Sequence, residues 1–67
     1  MPIVEITLAE GRTPEALRAM ISAVTTAVSE TVDAPVASVR VIIREVPTTH
    51  FAAGDVTIAE RRSAPAT

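Results

Sequence analysis

The chain can bring one secondary amine and six guanidinium groups to chemistry. It opens Met1-Pro2-Ile3-Val4-Glu5-Ile6, and removal of Met1, which is expected, leaves Pro2 with a free amine at the head of an extended run. Proline inside a chain has neither an N–H nor a basic nitrogen, because its ring closes on the amide. At a chain start the same ring holds a titratable amine in a narrow range of orientations. An amine that is neutral near pH 7 and acidic once protonated serves as general base and then general acid. Proline in second place also simply marks processing, so the amine gains meaning only from what surrounds it.

What surrounds it is arginine. All six basic residues are Arg12, Arg18, Arg40, Arg44, Arg61 and Arg62, and the chain has no lysine. A GC-rich coding preference explains such a bias without function, yet two chemical consequences follow regardless. Carboxylates must be recognised by guanidinium, which grips them in a bidentate fork. Amine chemistry must fall to the N-terminus, since no side-chain amine exists.

Size and composition narrow the classes. Sixty-seven residues make one domain, near the lower limit for a core that stabilises itself. There is no cysteine, and with one histidine and no tryptophan or tyrosine no metal site is expected. Nearly half the chain, 48%, is apolar, more than so small a monomer can hide, so obligate self-association is expected. The formal charge of -2 and the lack of a basic cluster exclude a nucleic-acid partner. No apolar run approaches the roughly 20 residues of a membrane span, and the N-terminus lacks signal-peptide regions, so a soluble, cytoplasmic protein is expected.

The elements that must position these groups are legible. Ile3 to Leu8 alternates Val4, Ile6 and Leu8 with Glu5 and Thr7, the period of a strand. Ala9 to Arg12 reads as a loop in which Gly11 is free to take positive φ. Thr13-Pro14-Glu15 is a helix start, with an N-cap, a proline in first position and an acid in the first turn. Leu17, Met20, Ile21, Val24, Val28, Thr31 and Val32 then trace one helix face, and Asp33-Ala34-Pro35 ends it.

Val39 to Val46 reads as a second strand, which makes a β-α-β unit with parallel strands and a right-handed crossover. Val39, Val41 and Ile43 belong under the helix, and Arg40, Ile42, Arg44 and Val46 on the opposite face. That face has no second helix to cover it, so another subunit must. Pro47 to Gly54 is a loop carrying His50 and Phe51, and Val56-Thr57-Ile58 is a short extended piece suited to a small hairpin. The domain spans residues 2–62, and residues 63–67 read as a flexible tail.

Together these residues resemble the 4-oxalocrotonate tautomerase family, the short-chain group of the tautomerase superfamily. The resemblance rests on the Pro2 start, Glu10-Gly11-Arg12, Asp33-Ala34-Pro35, Ser38-Val39-Arg40-Val41-Ile42-Ile43 and His50-Phe51, and runs over residues 2–62. It implies an α+β tautomerase fold, one β-α-β unit with a short C-terminal hairpin, assembled as a homohexamer (a trimer of dimers). It implies Pro2 as the catalytic amine. Arg12 matches the arginine that grips the distal carboxylate of a dicarboxylic substrate, and Arg40 the one at the reacting end. Phe51 matches the aromatic pocket wall. Substrate contacts in the family come from more than one subunit, and no cofactor or metal is implied.

The implied reaction converts a 2-hydroxymuconate-like dienol acid to the conjugated enone. One base takes the enol proton and returns it to a carbon further along. Desolvation near Phe51 and the charges of Arg12 and Arg40 should lower the basicity of Pro2. His50 and Glu10 read as loop-ordering residues, and Arg61 as part of a solvated pair. Arg44 departs from the family pattern by placing a bulky charge on the Arg40 face, and Arg62 is in reach of a neighbouring pocket, so both are further candidates. Asp55 stands after Gly54 where a second glycine is common. Two other functions fit the same residues: hydration, dehalogenation or amine-nucleophile chemistry on unsaturated acids and carbonyls, and a non-catalytic oligomeric binding module.

Overall fold

The computed structural model describes residues 1–63. Strand β1, Ile3–Ala9, is followed by helix α1, Pro14–Val32, a 3-10 turn at Val36–Ser38, and strand β2, Arg40–Val46. A second 3-10 turn at Thr48–His50 leads to a small hairpin of β3, Ala52–Ala53, and β4, Val56–Thr57. The described residues end in a short helix, α2, Ile58–Ser63. Strands β1 and β2 pair in parallel from Ile3↔Arg40 to Ala9↔Val46, as the β-α-β reading requires, and β3 and β4 pair antiparallel.

Helix α1 begins as its sequence dictates. Thr13 is extended, and its side chain accepts a hydrogen bond from the Ala16 amide at 3.1 Å, with Pro14 in the first helical turn. The helix ends at Val32 because Asp33 turns left-handed, with φ of 53°. The Ser29 carbonyl accepts from the Asp33 and Ala34 amides, while the Ser29 hydroxyl donates to the Ala34 carbonyl at 2.6 Å. Pro35 follows where no helical N–H is needed. The half-buried stripe is Leu17, Met20, Ile21, Val24 and Val28, with Thr25 and Ser29 equally half-buried beside it. Thr31 and Val32, expected on that stripe, are exposed. Thr31 bonds back to the Ala27 carbonyl at 2.7 Å, and Val32 sits on the last turn at 62% exposure.

Several boundaries differ from the sequence expectation: β2 starts at Arg40 and not at Val39, and Ala52–Ala53 pairs as β3 within the expected Pro47–Gly54 loop. Ala9 belongs to β1 and not to the loop, because Glu10 still donates to the Val46 carbonyl at 2.9 Å and holds the strand ends together. Ile58 starts a helix instead of ending a strand. Thr57 and Glu60 form a reciprocal cap, the Glu60 carboxylate accepting from the Thr57 amide at 2.8 Å and the Thr57 hydroxyl from the Glu60 amide at 3.0 Å. Ser63, expected in the tail, is the last residue of α2 and donates to the Ala59 carbonyl; the rest of that tail, residues 64–67, lies outside the described residues. The hairpin turns on Gly54 and Asp55, both with positive φ (59° and 66°), the conformation a two-residue connection requires.

Burial alternates from Ile3 to Leu8 and from Arg40 to Arg44 and then breaks: Ala9 is buried beside Leu8, Glu45 is exposed beside Arg44, and Val46, expected on the open face with Arg40, is half-buried. Val4, Ile6, Leu8, Val41 and Ile43 are half-buried, whereas Ile3, Glu5, Thr7, Arg40, Ile42 and Arg44 are exposed. Among the described residues only Ala9 is buried, at 5% exposure. The radius of gyration is 15.6 Å, against about 11 Å for a compact globule of this length. A single chain therefore fully buries almost none of its apolar residues.

Two outcomes follow. Asp33→Gly should raise the thermal midpoint and Asp33→Val lower it, by about 1 kcal/mol each way, because only glycine adopts left-handed φ without cost; unfolding at fixed protein concentration measures both. The Thr57 hydrogen bonds hold the Glu60 carboxyl below its ordinary value. A folded pKa below the unfolded one stabilises at higher pH, and that support is lost as pH falls through the lowered value. Protection of the α2 amides, measured against their intrinsic exchange rates, should accordingly fall in acid, and Glu60→Gln should flatten the dependence.

Candidate active site

The β1–β2 ladder fixes where each candidate residue stands. Arg40 donates its backbone N–H to the Pro2 carbonyl at 2.9 Å, so the pairing extends one residue beyond the strand and holds Pro2 next to Arg40. Pro2 is half-buried and shares its parity with Val4, Ile6 and Leu8. Arg40 lies on the opposite, exposed face with Ile42 and Arg44. The two residues are thus neighbours along the backbone with side chains on different faces of the sheet.

Arg12 and Phe51 lie elsewhere. Both follow the C-terminal ends of their strands, Arg12 three residues after Ala9 and Phe51 beyond the 3-10 turn that follows Val46. Seven residues of strand, at about 3.3 Å each, put roughly 20 Å between that end and Pro2. No small diacid bridges such a distance. One chain consequently places Pro2 and Arg40 at one end and Arg12 and Phe51 at the other. An arrangement using all four would have to draw the far end from a second chain.

Both guanidiniums rest on nearby backbone carbonyls. Arg12 donates from Nη1 to the Ala9 carbonyl at 3.2 Å, and Arg40 from Nη1 to the Ala37 carbonyl at 2.9 Å. Each anchor is a neutral carbonyl, and Arg has five N–H donors, so most donors and the full charge stay available to an anion. Arg44 is different. Its Nη1 lies 3.5 Å from Glu5 Oε2, the one ion pair among the described residues. Glu5, which sequence reading treated only as a polar strand position, is thereby its partner. The pairing was hidden because it depends on the register of two strands far apart in sequence.

Near the hairpin, Phe51 is half-buried, and its carbonyl accepts from the Ile58 amide at 2.9 Å, tying the ring's backbone to the start of α2. Arg61 is exposed and reaches back to the Ala53 carbonyl at 3.1 Å, so it braces the hairpin while remaining solvated. Arg62 is exposed on the same helix, at the end that carries Arg12 and Phe51. His50 closes the 3-10 turn and is exposed. A shallow groove of about 490 Å³ runs along α1, lined by Pro14, Glu15, Arg18, Ala19 and Ser22, and none of the candidate residues borders it. Among the described residues no acidic or histidine cluster could hold a metal ion, and no helix is long and apolar enough to cross a membrane.

Chemically, the Pro2 nitrogen, an amine once Met1 is removed, lies at the Arg40 end of the strand pair, and Arg12 and Phe51 lie at the far end. Several known proteins are similar to this chain. The family model described as tautomerase enzyme matches residues 2–61. A probable tautomerase of Ralstonia nicotianae is 50% identical over 84% of this chain and 80% of its own. The 2-hydroxymuconate tautomerase of Stutzerimonas stutzeri is 48% identical over 81% of this chain and 86% of its own. Among solved structures, TomN, a 4-oxalocrotonate tautomerase homologue in the tomaymycin biosynthetic pathway, superposes with a TM-score of 0.93 at 42% identity, covering 97% of this chain and all of its own. A heterohexamer 4-oxalocrotonate tautomerase from Chloroflexus aurantiacus matches with a TM-score of 0.87 at 40% identity, over 90% and 97% of the two chains.

Proposed function

The chain belongs to the tautomerase family and is an isomerase, and we propose that it converts a 2-hydroxymuconate-like dienol diacid to its conjugated ketone without a cofactor. Pro2 is the base and acid, freed by removal of Met1. The observation that carries this is the hydrogen bond from the Arg40 amide to the Pro2 carbonyl, which fixes the ring at the head of a paired strand. A base so held needs no reordering before each turnover, which is where positioning lowers a barrier.

In this reading the Pro2 nitrogen takes the enol proton. Electron density moves along the conjugated chain, and the ammonium returns the proton to a carbon further along. The nitrogen ends as it began, and no atom is lost. Arg40 holds the carboxylate and oxygen at the reacting end, where negative charge grows in the transition state. A second subunit brings Arg12 to the distal carboxylate and Phe51 to the wall. Closing that wall excludes water and strengthens every charge interaction inside. The roughly 20 Å between the two pairs of residues within one chain supports such sharing. A homohexamer satisfies it, and Arg62 stands at the end that would reach across.

Ultraviolet assay with 2-hydroxymuconate tests the reading. Pro2→Ala should lower kcat/KM at least 10²-fold, the usual worth of general acid–base catalysis, roughly; equal rates would overturn Pro2 as the base. Arg12→Ala should act mainly on KM and Arg40→Ala on kcat as well. Chains bearing Pro2→Ala and Arg12→Ala, each impaired alone at low substrate, should regain activity when assembled together, since some sites then draw an intact residue from each.

A further inference from the structure

The register of the parallel ladder sets one acid between two cations. On the sheet face away from α1, Ile3, Glu5 and Thr7 of β1 stand opposite Arg40, Ile42 and Arg44 of β2. Glu5 is therefore diagonal to both arginines, its backbone roughly 8 Å from each by strand spacing and rise. An acid so placed can pair with either. It pairs with Arg44, whose Nη1 lies 3.5 Å from Glu5 Oε2, while Arg40 turns back to the Ala37 carbonyl at 2.9 Å. The side chains of Arg44 and Glu5 are 54% and 56% exposed, so the pair adds little stability. Its charges still decide how much net cation this face shows to an anion.

We infer that Arg44 is a positioning residue for substrate binding: by engaging Glu5 it keeps that carboxylate off Arg40, whose guanidinium then meets the diacid with its charge intact. Without Arg44, Glu5 has Arg40 as the remaining cation within diagonal reach on this face. A guanidinium paired to a carboxylate has fewer donors and less net charge for a second anion. The unmatched carboxylate also repels a dianion directly. With Arg44 in place acid and cation cancel, and Arg40 is left as the uncompensated charge. Arg44 acts here through Glu5 and not on the substrate. The inference rests on the reading in which Arg40 holds a substrate carboxylate.

Calorimetric titration of the whole protein with adipate, a saturated diacid that has no enol proton to give, tests the role apart from turnover. At low salt Arg44→Ala should weaken adipate binding by about threefold or more, the scale of an exposed charge pair. Arg44→Lys, which keeps the partner of Glu5, should bind as wild type does. Glu5→Gln alone frees a cation and should tighten binding, and Glu5→Gln with Arg44→Ala should restore it. These last two keep the test decisive if Arg44→Ala fails to fold. In an Arg40→Ala background the Arg44→Ala change should lose most of its effect, which a merely structural pair would not do. An unchanged affinity in Arg44→Ala, an undiminished loss in the Arg40→Ala background, no restoration in the double variant, or no adipate binding by wild type would overturn the inference. Arg44-dependent adipate binding without turnover of 2-hydroxymuconate would fault the proposed reaction and leave this role standing; normal turnover with Arg44-independent binding would do the reverse.

Discussion

Hydrophobic burial in this protein is an agreement between chains. A β-α-β unit has one helix for a sheet with two faces, and Ala9 alone among the described residues escapes solvent. Ile3, Val36 and Ile42 remain largely open, on or near the uncovered sheet. Apolar surface removed from water is the dominant favourable term in folding. A subunit that removes so little by itself must gain its stability where subunits meet. Loop geometry, caps and turns then matter chiefly for presenting surfaces in the right relation.

The parallel ladder is the device that does this. It sets Pro2 against Arg40 through a single backbone hydrogen bond and extends at the other end to the Glu10–Val46 bond. Because the strands run parallel, both chain entries lie at one end and both exits at the other. Exits lead to the loop of Arg12 and to the turn, hairpin and short helix that carry Phe51 and Arg62. Arg12 and Arg40 rest on neutral carbonyls, whereas Arg44 is already matched by Glu5. That difference sorts three arginines that look alike in sequence: two charges are free for an anion, and one is engaged by its own chain.

Much of this was legible beforehand, for identifiable reasons. The α1 boundaries followed from Thr13, Pro14 and the stop near Pro35, and the strand faces as far as Leu8 and Arg44 from alternation. What escaped notice depended on longer-range or less common geometry. Helix α2 was obscured because β-branched Val56-Thr57-Ile58 mimics a strand, although Thr57 with Glu60 three residues on is a capping signal. The left-handed turn at Asp33 was hidden because aspartate adopts that conformation only sometimes. For the candidate site, residue types were readable from motif spacing. Their division between two ends of a subunit became visible only with strand register.

The split between the ends has a consequence at the level of the cell. If each working centre is assembled from parts of separate chains, a scarce polypeptide yields almost no catalyst, and output climbs more steeply than expression until association saturates. Mass action then acts as a threshold on the pathway, set by how tightly the subunits hold one another.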